Sequence, residues 1–170
     1  MDHISIFTDG AVEPNPGKGG YGIVMLCRGR RLELSGGFRF TTNNRMELYP
    51  VIIALQRLKN PGSSVVVYSD SQYVVGMASK GVYKTQRKQW HSRKRGPTPN
   101  VDLWKMLLPL LVKHDVDFEW VRGHNGNAEN ERCDYLAGEA RRVPNLPADL
   151  CYENPPKVEL PAKSLGMLGI

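Results

Sequence analysis

Two aspartates sit where a carboxylate is costly. Asp9 follows Ile4–Thr8, an alternating apolar and polar run that reads as a strand. Asp70 follows Val65–Tyr68, a β-branched run of the kind buried on both faces of a sheet. Open mixed sheets place ligand sites at the carboxyl ends of their strands. If these two strands are neighbours the carboxylates meet, and two close anions call for a cation. Oxygen donors alone select magnesium, manganese or calcium over zinc. Two further acids flank apolar helical faces: Glu47 beside Met46 and Leu48, and Asp134 between Cys133 and Ala137. Taken singly, each of the four also fits a strand-ending turn or a solvated helix position. Their weight is cumulative.

The elements that must position them follow from periodicity. Tyr21–Cys27 and Arg31–Phe40 read as two more strands, with Gly29 at the hairpin and Glu13–Gly20 as a turn-rich loop. From Asn44 the period becomes helical, with Met46, Leu48, Val51, Ile52, Leu55 and Leu58 as an apolar stripe. Asn44 and Glu47 resemble a capping box, and Asn60-Pro61-Gly62 ends the helix. A short helix after Asp70 ends near Gly81, a longer one spans Val101–Lys113, and Val116–Val121 is a strand. The last helix runs from about Ala128 to Arg142 with Cys133, Leu136, Ala137 and Ala140 at core spacing. The expected fold is α/β: a mixed five-stranded sheet, three strands antiparallel and then two parallel, with helices on both faces.

Bulk properties bound the rest. The 170 residues suit one domain, residues 1–143, followed by a Pro-rich, mostly irregular tail at 144–170 that holds five of the twelve prolines. No apolar stretch approaches a membrane span, and Met1-Asp2-His3 does not open a secretory signal. Cys27, Cys133 and Cys151 lack disulfide or zinc spacing and suit a reducing, cytoplasmic setting. His3, His91 and His114 have no partner at metal spacing and read as surface or strand-edge residues. Of the net charge of +6, a segment without carboxylates contributes +7 through Lys80, Lys84, Arg87, Lys88, Arg93, Lys94 and Arg95. So concentrated a cationic element on a near-neutral body points to a polyanion, nucleic acid being the commonest.

The segments Phe7-Thr8-Asp9-Gly10, Asn15-Pro16-Gly17-x-Gly19-Gly20-Tyr21-Gly22, Thr41-Thr42-Asn43-Asn44-Arg45-Met46-Glu47-Leu48, Tyr68-Ser69-Asp70-Ser71-Gln72-Tyr73-Val74, Val121-Arg122-Gly123-His124 and Asn130-Glu131-Arg132-Cys133-Asp134-x-Leu136-Ala137 resemble the successive motifs of type 1 ribonuclease H. They occur in that family's order through Arg142. The resemblance implies a monomeric endonuclease that cuts the RNA strand of RNA–DNA hybrids and leaves 5′-phosphate and 3′-hydroxyl ends. It implies that Asp9, Glu47, Asp70 and Asp134 hold two Mg²⁺ ions, with Mn²⁺ a possible substitute. His124, in a Gly-flanked loop, would be the mobile histidine that assists proton transfer or product release. Asn15, Asn43 and Gln72 would contact the minor groove and its 2′-hydroxyls, with Thr42 near a DNA-strand phosphate. The segment at about 80–99 resembles the basic protrusion of bacterial-type members, where Lys84, Arg87, Lys88 and Trp90, interleaved with Tyr83, would bind substrate.

One residue departs from the pattern. Pro50 falls three residues after Glu47 and withholds a hydrogen bond from the Met46 carbonyl, so the helix either starts late or bends near a ligand. Three other readings remain at this point: a related DNA nuclease or strand-transfer enzyme, a non-catalytic hybrid-binding module, and a general basic RNA-binding protein.

Overall fold

The computed structural model describes residues 3–79, 91–92, 96–97, 99–123 and 126–156. Five strands form one sheet: β1 (His3–Val12), β2 (Gly17–Cys27), β3 (Arg30–Thr41), β4 (Ser64–Ser69) and β5 (Asp115–Trp120). Their order is β3-β2-β1-β4-β5, with β1, β2 and β3 antiparallel and both β4 and β5 parallel to their neighbours. This is the mixed sheet expected from the sequence. The hairpin between β2 and β3 turns on Arg28 and Gly29, both at positive φ, a two-residue geometry whose twist matches that of its strands.

The helices are α1 (Asn43–Gln56), α2 (Gln72–Ser79), α3 (Val101–Lys113), α4 (Ala128–Ala140) and the short α5 (Leu150–Glu153). Helix α1 is buried nearly all round, packing on β1 and β2 and against α3. Its Leu48, Val51, Ile52 and Leu55 meet Ile6, Ile23, Val65 and Val67 of the sheet, with Trp104 and Leu107 of α3 closing the core. Helix α4 covers the other face of β1, β2 and β3.

The glycines of the expected loop 13–20 belong largely to β2, so the loop shrinks to residues 13–16. The reason is close approach. A Cβ on Gly20 would lie 2.2 Å from the Ala137 carbonyl oxygen, and one on Gly22 equally close to that of Cys133. Without side chains there, α4 lies directly on β2. The Cys133 thiol, also held on this face, donates to the Phe7 carbonyl at 3.2 Å.

Helix α1 corrects two expectations. It begins at Asn43, and Glu47 does not reach back to cap it; instead Asn15 Oδ1 accepts the Asn43 N–H at 3.2 Å. Nor does the helix start late: it begins before Glu47 and continues through Pro50. The Met46 backbone, whose carbonyl Pro50 has no N–H to meet, packs so closely on Gly10 that a Cβ there would stand 2.6 Å away.

A third correction concerns His114. It is 4% exposed between α3 and β5, so of the surface and strand-edge readings the surface one fails. Among the described residues, the chain after Val143 is irregular apart from α5, yet it is tied down. The Pro147 carbonyl accepts the Arg39 N–H, and Asp149 is buried against Arg45. No described helix is long and apolar enough to cross a membrane.

Candidate active site

Register brings the first two carboxylates together. The parallel pairing of β1 with β4 ends at Phe7 opposite Tyr68, whose rings stack at 4.7 Å between centroids. Asp9 and Asp70 lie two residues further on, so the period of two places both on the face of that ring pair. Beyond this point β1 keeps only β2, pairing Asp9 with Gly22 and running on to Val12; it does not stop at Asp9 as its pattern suggested. The antiparallel partner thus anchors Asp9 where the parallel one has left.

Glu47 arrives from α1, one turn past Asn43. Ligand oxygens of Asp9, Glu47 and Asp70 all lie within 4.8 Å of one another. Asp134, on α4 next to the Cys133 that sits over Gly22, is outside this tightest group but near enough to act on both Asp9 and Glu47 electrostatically.

The electrostatics are those of an unneutralised cluster. Burial, then the charge of Asp70, lifts the Asp9 carboxyl to about 7, against the hydrogen bond that its Oδ1 accepts from the Gly10 N–H at 2.7 Å. Asp134 adds a smaller push the same way. Glu47 is raised well above the ordinary carboxylate range by burial, and the charges acting on it are those of Asp9, Asp70 and Asp134. Its Oε2 is buried without a hydrogen-bond partner among the described residues. A buried, orphaned carboxylate oxygen facing two more carboxylates is the donor set of a hard divalent cation, and these residues fit one.

Around the cluster, Asn15 holds the start of α1, and Asn43 is exposed beside it. The half-buried Thr42 is the residue that caps α1; its carbonyl accepts the N–H groups of Arg45 and Met46, and its side chain makes no capping bond. Gln72 is exposed at the first position of α2, which Ser71 caps by accepting the Val74 N–H. Thr42, Asn43 and Gln72 stand on the segments that carry Glu47 and Asp70, and Asn15 on the loop between β1 and β2. His124, Lys84, Arg87, Lys88 and Trp90 lie outside the described residues.

Sequence reasoning missed a second buried charge cluster behind the first. Arg45, 3% exposed, pairs with Asp102 of α3 and with Asp149 ahead of α5, each at 2.7 Å. Thr41 donates its hydroxyl to the same Asp149 carboxylate at 2.7 Å. Only the placement of Arg45 among core positions of α1 hinted at burial; nothing in the sequence marked Asp149 as its partner.

A five-stranded mixed sheet with acids gathered at the β1–β4 rim defines the class of protein, the ribonuclease H-like fold. The RNase H family model matches residues 1–142. The ribonuclease H of Trichodesmium erythraeum (strain IMS101) is 52% identical over 151 residues, spanning 88% of this chain and 96% of its own. That of Desulforamulus reducens (strain ATCC BAA-1160 / DSM 100696 / MI-1) is also 52% identical, over 88% of this chain and 94% of its own. Among solved structures, LC9-RNase H1, a type 1 RNase H with the type 2 active-site motif, superposes with a TM-score of 0.70 at 28% identity, over 82% of this chain and 72% of that one. LC11-RNase H1 in complex with an RNA/DNA hybrid does so with a TM-score of 0.61 at 26% identity, over 81% and 95%. The chain belongs to the ribonuclease H family and is an enzyme of it.

Proposed function

We propose that the protein hydrolyses the RNA strand of RNA–DNA hybrids internally, leaving 5′-phosphate and 3′-hydroxyl ends, with Asp9, Glu47, Asp70 and Asp134 holding two Mg²⁺ ions. Mn²⁺ is a plausible substitute, since both are hard, oxygen-preferring ions. The observation that carries the reading is the orphaned Glu47 Oε2, shut away among carboxylates that raise one another. When bound, the ions supply Lewis-acid activation of a water and stabilisation of the departing 3′ oxygen. The chain's own residues do the positioning. The Asp9 carboxylate is held by the Gly10 N–H, and α1 and α4, seated on the sheet by Gly10 and Gly22, present Glu47 and Asp134 to it.

Asn15, Asn43 and Gln72, beside this cluster, are the groups we assign to the minor groove, with Thr42 at a DNA-strand phosphate. His124 follows Gly123, which packs on Asp70; at that position it serves proton transfer or product release. Lys84, Arg87 and Lys88, with Trp90, supply charge and stacking surface to the duplex. If they and their neighbours meet about five phosphates, the log–log salt slope of binding is roughly −4 to −5. The LC11-RNase H1 complex with an RNA/DNA hybrid supports the choice of substrate.

The test is cleavage of end-labelled hybrid, double-stranded RNA and duplex DNA, each with Mg²⁺, Mn²⁺ or chelator. Cutting confined to the hybrid, dependent on metal and yielding 5′-phosphate ends is the expected result. Cutting of duplex DNA, or of hybrid in chelator, overturns the proposal.

A further inference from the structure

Asp70 is the site carboxylate with the least support from its own strand, because β4 ends at Ser69. Its support comes from the exit of β5. The Val121 N–H donates to the Ser69 carbonyl at 3.1 Å. The Trp120 indole Nε1–H donates to the Asp70 main-chain carbonyl at 2.9 Å. A Cβ built on Gly123 would lie 2.6 Å from Asp70 Oδ2. Trp120 is 50% exposed, so burial of its rings does not account for an indole there; the inward-turned N–H does.

Gly123 is equally specific. It is not among the glycines at positive φ, which are Gly29, Gly62 and Gly126, so an alanine meets no backbone penalty there. What it meets is the free end of one side chain. That end can swing aside and leave the fold intact, but the carboxylate then loses its place.

We propose that Trp120 and Gly123 are positioning residues for Asp70. The indole fixes its main chain, and the missing side chain of Gly123 fixes the direction of its carboxylate. The inference rests on the reading of Asp70 as a divalent-metal ligand and extends it to residues outside the carboxylate set.

The experiment uses the full chain with Trp120→Phe, Gly123→Ala and Asp70→Asn. Mg²⁺ binding is measured by calorimetry without substrate, thermal stability in chelator, and kcat and KM on hybrid. Supporting residues around a metal ligand typically change affinity or activity by about 10- to 100-fold. Gly123→Ala is expected to weaken Mg²⁺ binding and lower kcat by about that factor, with KM and chelator Tm near wild type. Trp120→Phe keeps the ring, removes the N–H and has a smaller effect in the same direction. The Trp120 indole N–H resonance shifts on adding Mg²⁺ to the wild type and does not shift in Asp70→Asn. Wild-type Mg²⁺ affinity and kcat in Trp120→Phe and Gly123→Ala, beside an inactive Asp70→Asn, reject the positioning role and leave the metal site standing. If Gly123→Ala does not fold, Trp120→Phe decides. Unchanged Mg²⁺ binding and cleavage in Asp70→Asn remove the metal reading, and the positioning role with it.

Discussion

Two buried charge clusters sit back to back on α1, two residues apart in sequence, and they are built on opposite principles. At Arg45 one guanidinium meets the carboxylates of Asp102 and Asp149, and the Thr41 hydroxyl takes up part of the remaining hydrogen-bonding capacity. The charge is matched inside the protein, and the Asp102 carboxyl is held below its ordinary range against the pull of burial. At Glu47 three further acids converge, burial and mutual repulsion raise Asp9 and Glu47, and one oxygen has no partner. A satisfied cluster fixes structure; an unsatisfied one reserves its capacity for something from solution. Burial and charge are common to both, so the presence or absence of an internal counter-charge is what separates scaffold from site.

The widest gap between them is expected in activity. Asp9→Asn or Asp70→Asn lowers hybrid cleavage by about 10²–10³-fold or more, the scale lost when one pre-organised charge-stabilising group is removed. Hybrid binding persists, and in chelator it tightens as repulsion of phosphate falls. A gel-shift titration beside single-turnover cleavage reads both, and full activity in either variant dissolves the distinction.

Next is stability. Arg45→Met leaves Asp149 buried and unpaired, at a cost of about 3–5 kcal/mol in denaturant unfolding, as for other broken buried pairs. Asp70→Asn moves metal-free stability the other way, because it removes repulsion. Two destabilised variants would mean that the clusters do not differ as described.

The pH response sharpens the contrast. A carboxyl whose folded pKa is raised, as Asp9 is to about 7, contributes stability that is complete in acid and is lost as pH rises through that value. Metal-free protein therefore loses Tm through this group between the ordinary aspartate value of 3.8 and about 7, and the loss is complete above it. A fixed Mg²⁺ concentration, about 100 times its Kd at neutral pH, restores on the order of 2.7 kcal/mol there and more at the alkaline end, where the Kd falls. Equal Mg²⁺ stabilisation at both ends disproves the link.

The smallest effect belongs to His114. Burial, aided by Lys113, lowers its pKa, and neither ring nitrogen has a partner among the described residues. Its contribution is present above the ordinary histidine range and lost as pH falls through its lowered value. His114→Leu should flatten the acid limb of the stability curve and leave cleavage unchanged.

Much of this was legible without coordinates. Strands and helices followed from periods of two and 3.6, and Asp9, Glu47, Asp70 and Asp134 were singled out because each interrupts or borders an apolar pattern. The errors share a cause. Gly19 and Gly20 look like loop residues, yet they lie in β2, where Met46 of α1 and Ala137 of α4 press on that strand. Glu47 looks like half of a capping box, yet the Asn43 N–H at the start of α1 is met by Asn15, 28 residues before Asn43. His114 looks like a surface residue because local pattern carries no record of what packs over the end of α3. Asp149 lies in a Pro-rich stretch with no periodicity, and its partner is 104 residues away.

The chain on its own determined which residues repeat with the period of a strand or helix, where turns interrupt them, and which acids border the apolar faces, because these are properties of neighbours along the backbone. Only the folded structure decided which acids receive an internal counter-charge and which are left to compete with one another. That choice depends on distances between segments far apart in sequence, and it makes Arg45 a fastener and Glu47 a candidate ligand.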